Sequence, residues 1–185
     1  MSDYRRNFRP GGTFFFTVVT HQRQPLLCQP IARRLLHRFI RDERQRRPFI
    51  IDAAVLLPDH LHMIWTLPQG DGDFAIRWAA IKGDFSRMWL AGGGSERHIA
   101  VSSHREERRG VWQRRFIEHT IRDEQDFARH ADYIHYNPVK HGLVDSPVQW
   151  RCSSFHRYVR IGVYPKHWGL AHPRQLEELA LPVME

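Results

Sequence analysis

Residues 48–67 read PFIIDAAVLLPDHLHMIWTL, two β-branched and aromatic runs parted only by Pro58 and Asp59. A link this short cannot make the long crossover that parallel strands require, so the chain must fold back beside itself. The segment predicts an antiparallel hairpin with strands over 48–58 and 60–67.

The flanking sequence supplies further elements. GGTFFFTVVT (11–20) follows a Gly-Gly turn and reads as a buried strand. From Pro30 to about Arg47, apolar Ile31, Leu35, Leu36, Phe39 and Ile40 recur at helical spacing among arginines, which predicts an amphipathic helix. Phe74, Trp78, Ile81, Phe85 and Trp89 form the stripe of a second helix, ending near Leu90. The glycine-rich, charged stretch 91–110 has no apolar period and predicts a mobile surface loop. VWQRRFIEHTI (111–121) reads as a strand. A third helix is expected from Glu124 to about Tyr136, with Asp123 as N-cap and Asn137-Pro138 closing it. This order predicts an α+β domain, an antiparallel sheet with packed helices in a ferredoxin-like arrangement. No internal repeat and no dividing linker interrupts it.

Charge narrows the partner. The 185 residues carry a formal net charge of +8, and of 28 basic residues only Lys82, Lys140 and Lys166 are lysines. Scattered arginines suit phosphates and base edges more than a membrane surface. No apolar run approaches the roughly 20 residues that span a bilayer, and the basic N-terminus lacks a signal-peptide core. These features place the protein in the cytoplasm, without membrane attachment. Cys28 and Cys152 read as two reduced residues with no metal-type spacing.

In a strand over 60–67, Leu61, Met63 and Trp65 face the core, whereas His60, His62 and Ile64 share the outer face. Two imidazoles side by side can ligate one metal ion. A His-apolar-His triplet arises about 0.4 times by chance at this composition, so a solvated strand stays open as the alternative. On the third helix, Tyr133 and Asn137 lie four residues apart on one face, a nucleophile and an amide ligand one turn from each other. The alternatives are a half-buried aromatic and a helix-terminal residue before proline.

YRRNFRPGGTFFFTV, PDHLHMIWTLP, RWAAIKGDFSR and WQRRFIEHTIRDEQDFARHADYIHYNPVKHGLV, in this order, resemble the REP-associated tyrosine transposases, a single-tyrosine branch of the HUH single-strand nucleases. The similarity covers roughly residues 4–168 and weakens over 91–110 and after Gly169. It implies a catalytic domain over residues 1–141, with 142–185 as an extension packed on the same domain. It implies metal binding by His60 and His62, a third ligand at Asn137, and Tyr133 as the nucleophile. Tyr136 points away from the Asn137 face.

The resemblance further implies cleavage of single-stranded DNA bearing REP hairpins, by a 5′-phosphotyrosine intermediate with Mg2+ or Mn2+ as cofactor, in a protein that acts as a monomer. Candidate DNA contacts are Tyr4, Arg5, Arg6, Arg9, Lys82, Arg87, Arg114, Arg115 and His119, each of which also reads as ordinary surface. Two other functions stay open: a nucleic-acid-binding module without catalysis, and a metal-dependent hydrolase in which water attacks.

Overall fold

The computed structural model describes residues 10–98 and 109–170. Strand β1 is Thr13–Val19, helix α1 Pro30–Arg46, β2 Ile50–Leu56, β3 His60–Thr66, α2 Phe74–Ala91, β4 Ile117–Thr120, α3 Glu124–Lys140 and α4 Phe155–Arg160. The four strands form one antiparallel sheet in the order β2-β3-β1-β4. This is the ferredoxin-like order expected from the sequence. The hairpin closes at Pro58 and Asp59, with the Leu57 N–H donating to the His60 carbonyl at 2.8 Å.

One sheet face carries Phe14, Phe16, Leu61, Met63 and Trp65 and is covered by α1 and α2. All five stripe residues of α2 are buried there, and Trp78 stacks on Trp65 at 4.2 Å. Burying such rings contributes about 1.5–3 kcal/mol each. Arg77 of α2 is also buried, its guanidinium held by Asp71 at 2.5 Å and by the carbonyls of Arg47, Pro48 and Asp73. Among the described residues, no helix is long and apolar enough to cross a membrane.

The opposite face, expected to be the outer one, is not a solvated strand. Helix α3 packs on it, closing a second core of Phe15, Val55, Ile64, Ala131 and Ile134. His60 and His62 therefore lie between sheet and helix, 4% and 0% exposed.

Two boundaries also differ. The strand expected over 111–121 is regular only at Ile117–Thr120. Thr17 faces Ile117 but Thr20 faces Trp112, so this segment holds two more residues than β1 can pair. The surplus bows outward, and the Lys82 ammonium binds the carbonyls of Gln113 and Arg114 at 2.7 and 3.3 Å. Helix α3 does not stop before Asn137-Pro138 but runs through to Lys140. Pro138 removes one helical N–H. Its ring is nevertheless buried, and the next turn is tied by His141 N–H to the Asn137 carbonyl and Leu143 N–H to the Pro138 carbonyl, at 3.0 and 2.9 Å. At the start of α3, Asp123 caps the Asp126 N–H as expected.

After α3 the chain returns along the open edge of β2. Ser153 bridges Val55, the Leu56 N–H donates to the Cys152 carbonyl at 2.9 Å, and the Trp150 indole donates to the Leu56 carbonyl. Covering an edge strand in this way blocks pairing with other chains. Of the glycine-rich loop expected over 91–110, residues 99–108 lie outside the described residues.

Candidate active site

The register of β1 against β3 sets Thr17 opposite His62 and Val19 opposite His60. Thr17 Oγ1 lies 2.9 Å from His62 Nδ1, and Asp59 Oδ1 lies 2.6 Å from His60 Nδ1. Both Nδ1 atoms are thereby engaged, which leaves Nε2 of each ring as the available lone pair, as in metal-ligating histidines oriented by a carboxylate or hydroxyl. Asp59 is held in turn by Arg23 at 3.1 Å. Burial alone would raise its pKa, but the His60 hydrogen bond and charge, with those of Arg23, bring it down to about 2.

The two rings meet edge to face, their centroids 4.9 Å apart. Burial drives His62 well below the usual histidine range, and the neighbouring His60, His141, Lys140 and Arg23 act in the same direction. His62 is therefore neutral, the state a metal ligand needs.

Helix α3 brings Tyr133 over this pair, its ring 5.1 Å from that of His62 and braced by Phe15. Asn137 is fully buried one turn on. His62 Nε2 and both amide atoms of Asn137 are buried without a hydrogen-bond partner among the described residues. Such orphaned atoms are rare in folded proteins. An imidazole nitrogen and an amide oxygen fit a divalent ion, so the donor set expected from the sequence is compatible with one.

A second group, His119, Asp126 and His130, has ligand atoms within 4.8 Å of one another. These atoms are already committed: His119 Nε2 to Asp126 at 2.8 Å, the Arg122 N–H to the same carboxylate, and His130 Nδ1 to the Asp126 carbonyl at 2.8 Å. The two rings stack nearly parallel at 4.5 Å. This group pins the edge strand β4 to α3.

His60, His62 and Tyr133 are thus together, with Asn137 buried one helical turn from Tyr133, whereas the other candidates are dispersed. Lys82 and Arg87 belong to α2, across the sheet. Lys82 is spent on backbone carbonyls, and burial lowers its ammonium to about 8. Arg87 pairs with Asp84. Arg114 and Arg115 are exposed on the bowed segment before β4, and His119 is tied to Asp126. Tyr4, Arg5, Arg6 and Arg9 lie outside the described residues.

Sequence reasoning missed four neighbours of the site. Thr17 and Asp59 orient the imidazoles. His141 sets its ring 5.1 Å from that of His60, and the Lys140 ammonium lies 5.0 Å from the Tyr133 ring centroid. The strand register would have revealed Thr17, and a longer α3 would have revealed Lys140.

No protein-family model matches the chain. A REP-associated tyrosine transposase of Escherichia coli K12 is 44% identical over 169 residues, covering 91% of this chain and 92% of the relative. A Haemophilus influenzae protein described by the same family name is 40% identical over 169 residues, covering 91% and 94%. A solved structure of a REP-associated tyrosine transposase bound to a REP hairpin superposes with a TM-score of 0.74 at 43% identity, covering 91% of each chain. Identity of this extent along nearly the whole chain, on a shared fold, makes the protein a member of the REP-associated tyrosine transposases.

Proposed function

We propose that the protein is a metal-dependent endonuclease and strand transferase that acts on single-stranded DNA carrying REP hairpins, through a 5′-phosphotyrosine on Tyr133. The observation that carries this reading is the set of buried, unpartnered ligand atoms on His62 and Asn137 beside a tyrosine 5.1 Å from the His62 ring. The relative solved with a REP hairpin supports the choice of substrate.

His60, His62 and Asn137 would hold the metal. When bound, a divalent ion there supplies a Lewis acid that draws charge from the scissile phosphate, and imidazole and oxygen donors around a phosphate admit Mg2+ or Mn2+. Thr17 and Asp59 keep the two imidazoles in the ligating orientation. The Tyr133 hydroxyl oxygen attacks phosphorus, the bond to the 3′ oxygen breaks, and the released strand keeps a 3′ hydroxyl. The phosphotyrosine conserves the phosphodiester's energy, so a second 3′ hydroxyl can reverse the step and join strands.

Exposed Arg114 and Arg115, with Arg87 and the N-terminal Tyr4, Arg5, Arg6 and Arg9, are the candidate DNA contacts. Lys82 and His119 would act indirectly, by holding the segment that presents them. Residues 1–141 carry the chemistry and 142–185 form the extension. Tyr133 stands over the histidines of its own chain, 5.1 Å from the His62 ring, which supports an enzyme acting as a monomer, and a substrate carried in the cell's own DNA would put it in the cytoplasm.

The test is incubation of single-stranded REP hairpin DNA from the protein's own genome with Mg2+, Mn2+ or chelator. Metal-dependent cleavage that leaves a 3′ hydroxyl and a protein-bound 5′ end is expected. Cleavage without a protein-bound end would instead assign a hydrolase that uses water, and tight binding without cleavage a recognition module.

A further inference from the structure

Because α3 continues through Pro138, Tyr133, Asn137 and Lys140 fall at i, i+4 and i+7 on one stripe of the helix. Had the helix ended at Tyr136, Lys140 would have left that stripe. The Lys140 ammonium instead sits 5.0 Å from the centre of the Tyr133 ring, on an exposed residue at the rim of the buried ligand set. The scheme above leaves this cation without a task.

We propose that Lys140 is a catalytic residue whose ammonium binds a non-bridging oxygen of the scissile phosphate while Tyr133 attacks. The inference rests on Tyr133 being the nucleophile. A phosphate brought to the Tyr133 hydroxyl arrives beside a cation already held near the same ring. As the bond from Tyr133 to phosphorus forms and the bond to the 3′ oxygen breaks, negative charge builds on the phosphoryl oxygens, and a cation fixed in advance stabilises that charge most. The phenol's proton goes to solvent, the leaving 3′ oxygen takes one from solvent, and Lys140 stays an ammonium throughout. A lysine suits the task because its compact charge swings on a flexible stem, whereas a planar guanidinium would tend to stay stacked on the ring.

A merely structural Lys140 would steady the Tyr133 ring by cation–π attraction and be indifferent to the charge of the substrate. The two roles separate in a cycle that pairs Lys140→Met with a single-diastereomer methylphosphonate at the scissile position, which removes one non-bridging oxygen and its charge. The assay is single-turnover formation of the covalent adduct by the full chain, with hairpin affinity measured in parallel. Arg41→Ala on α1, across the sheet, controls for loss of one positive charge.

On the natural phosphate, Lys140→Met is expected to slow adduct formation about 100-fold, the scale for removing one preorganised donor to a developing oxyanion, while affinity changes by no more than about threefold. On the methylphosphonate the two proteins should react within about threefold of each other. Equal slowing of the variant on both substrates, or none on either, overturns the proposal while leaving the Tyr133 reading intact. A wild-type protein that cleaves without an adduct, or does not cleave, sinks that reading and the Lys140 role with it.

Discussion

Acidification should unfold the protein partly through His135, and replacing that residue should remove a defined share of the effect. His135 is 0% exposed and sits in the middle of a chain of hydrogen bonds. The Ala54 N–H donates to Ser154 Oγ at 2.8 Å, and Ser154 Oγ lies 2.8 Å from His135 Nε2. His135 Nδ1 lies 3.3 Å from the Tyr164 hydroxyl, which donates to Asp132 at 2.5 Å. One proton arrangement satisfies every partner: Ser154 donates to Nε2, and Nδ1–H donates to Tyr164. That arrangement requires a neutral imidazole. Burial, aided by the charge of Arg157, lowers His135 to about 3. An unfolded histidine titrates near 6.5, so between about pH 6.5 and about pH 3 the unfolded chain binds a proton that the folded chain refuses. Stability is complete above that window and falls by about 1.4 kcal/mol per pH unit on descending through it. From about pH 7 to about pH 5 this one residue removes about 2 kcal/mol. His135→Gln keeps a donor and an acceptor but cannot titrate. Urea unfolding of both proteins at the two pH values should show the variant losing about 2 kcal/mol less than the wild type on acidification. Buried His62 and His130 titrate in both proteins and cancel in the comparison. Equal losses in the two proteins would refute the neutral, buried relay.

Asp71→Ala leaves the buried Arg77 guanidinium without its carboxylate and should destabilise the fold by about 3 kcal/mol, measured by urea unfolding. Asp123→Ala removes the cap on the Asp126 N–H and should cost about 1 kcal/mol, seen as a small drop in Tm. Asn137→Leu fills the same buried space without an amide oxygen. It should weaken Mn2+ binding, followed by titration calorimetry or by paramagnetic relaxation, at least about tenfold while leaving the fold stable.

Much of this architecture follows from local pattern. The short Pro58-Asp59 link forces the β2–β3 hairpin, and alternation along β3 puts His60 and His62 on one face without knowledge of any neighbour. What alternation does not disclose is whether that face is wet. Polar residues left a solvated face open, yet α3 covers it with a stripe that is itself polar, including His130, Tyr133 and Asn137. Functional side chains disguise a buried surface because they break the hydrophobic period that announces one. The end of α3 was misread for another reason. A proline rule weighs one lost hydrogen bond, while the burial of Tyr136, Asn137 and Pro138 is a tertiary gain outside the reach of a local window. The bowed segment before β4 contains Val111, Trp112 and Phe116, whose strand-like composition hides two residues that β1 cannot pair. The link from His135 to Tyr164 and Ser154 joins positions 29 and 19 residues apart, beyond the reach of any local pattern.

The account stands on Tyr133 as the attacking group. The direct measurement is mass spectrometry of the protein after reaction with single-stranded REP hairpin DNA and Mn2+, with nuclease and protease digestion to locate the bound nucleotide. A 5′-nucleotide on the peptide that contains Tyr133, absent in Tyr133→Phe and in His62→Ala, is the predicted result. A nucleotide on Tyr136, or cleaved DNA with an unmodified protein, would contradict it.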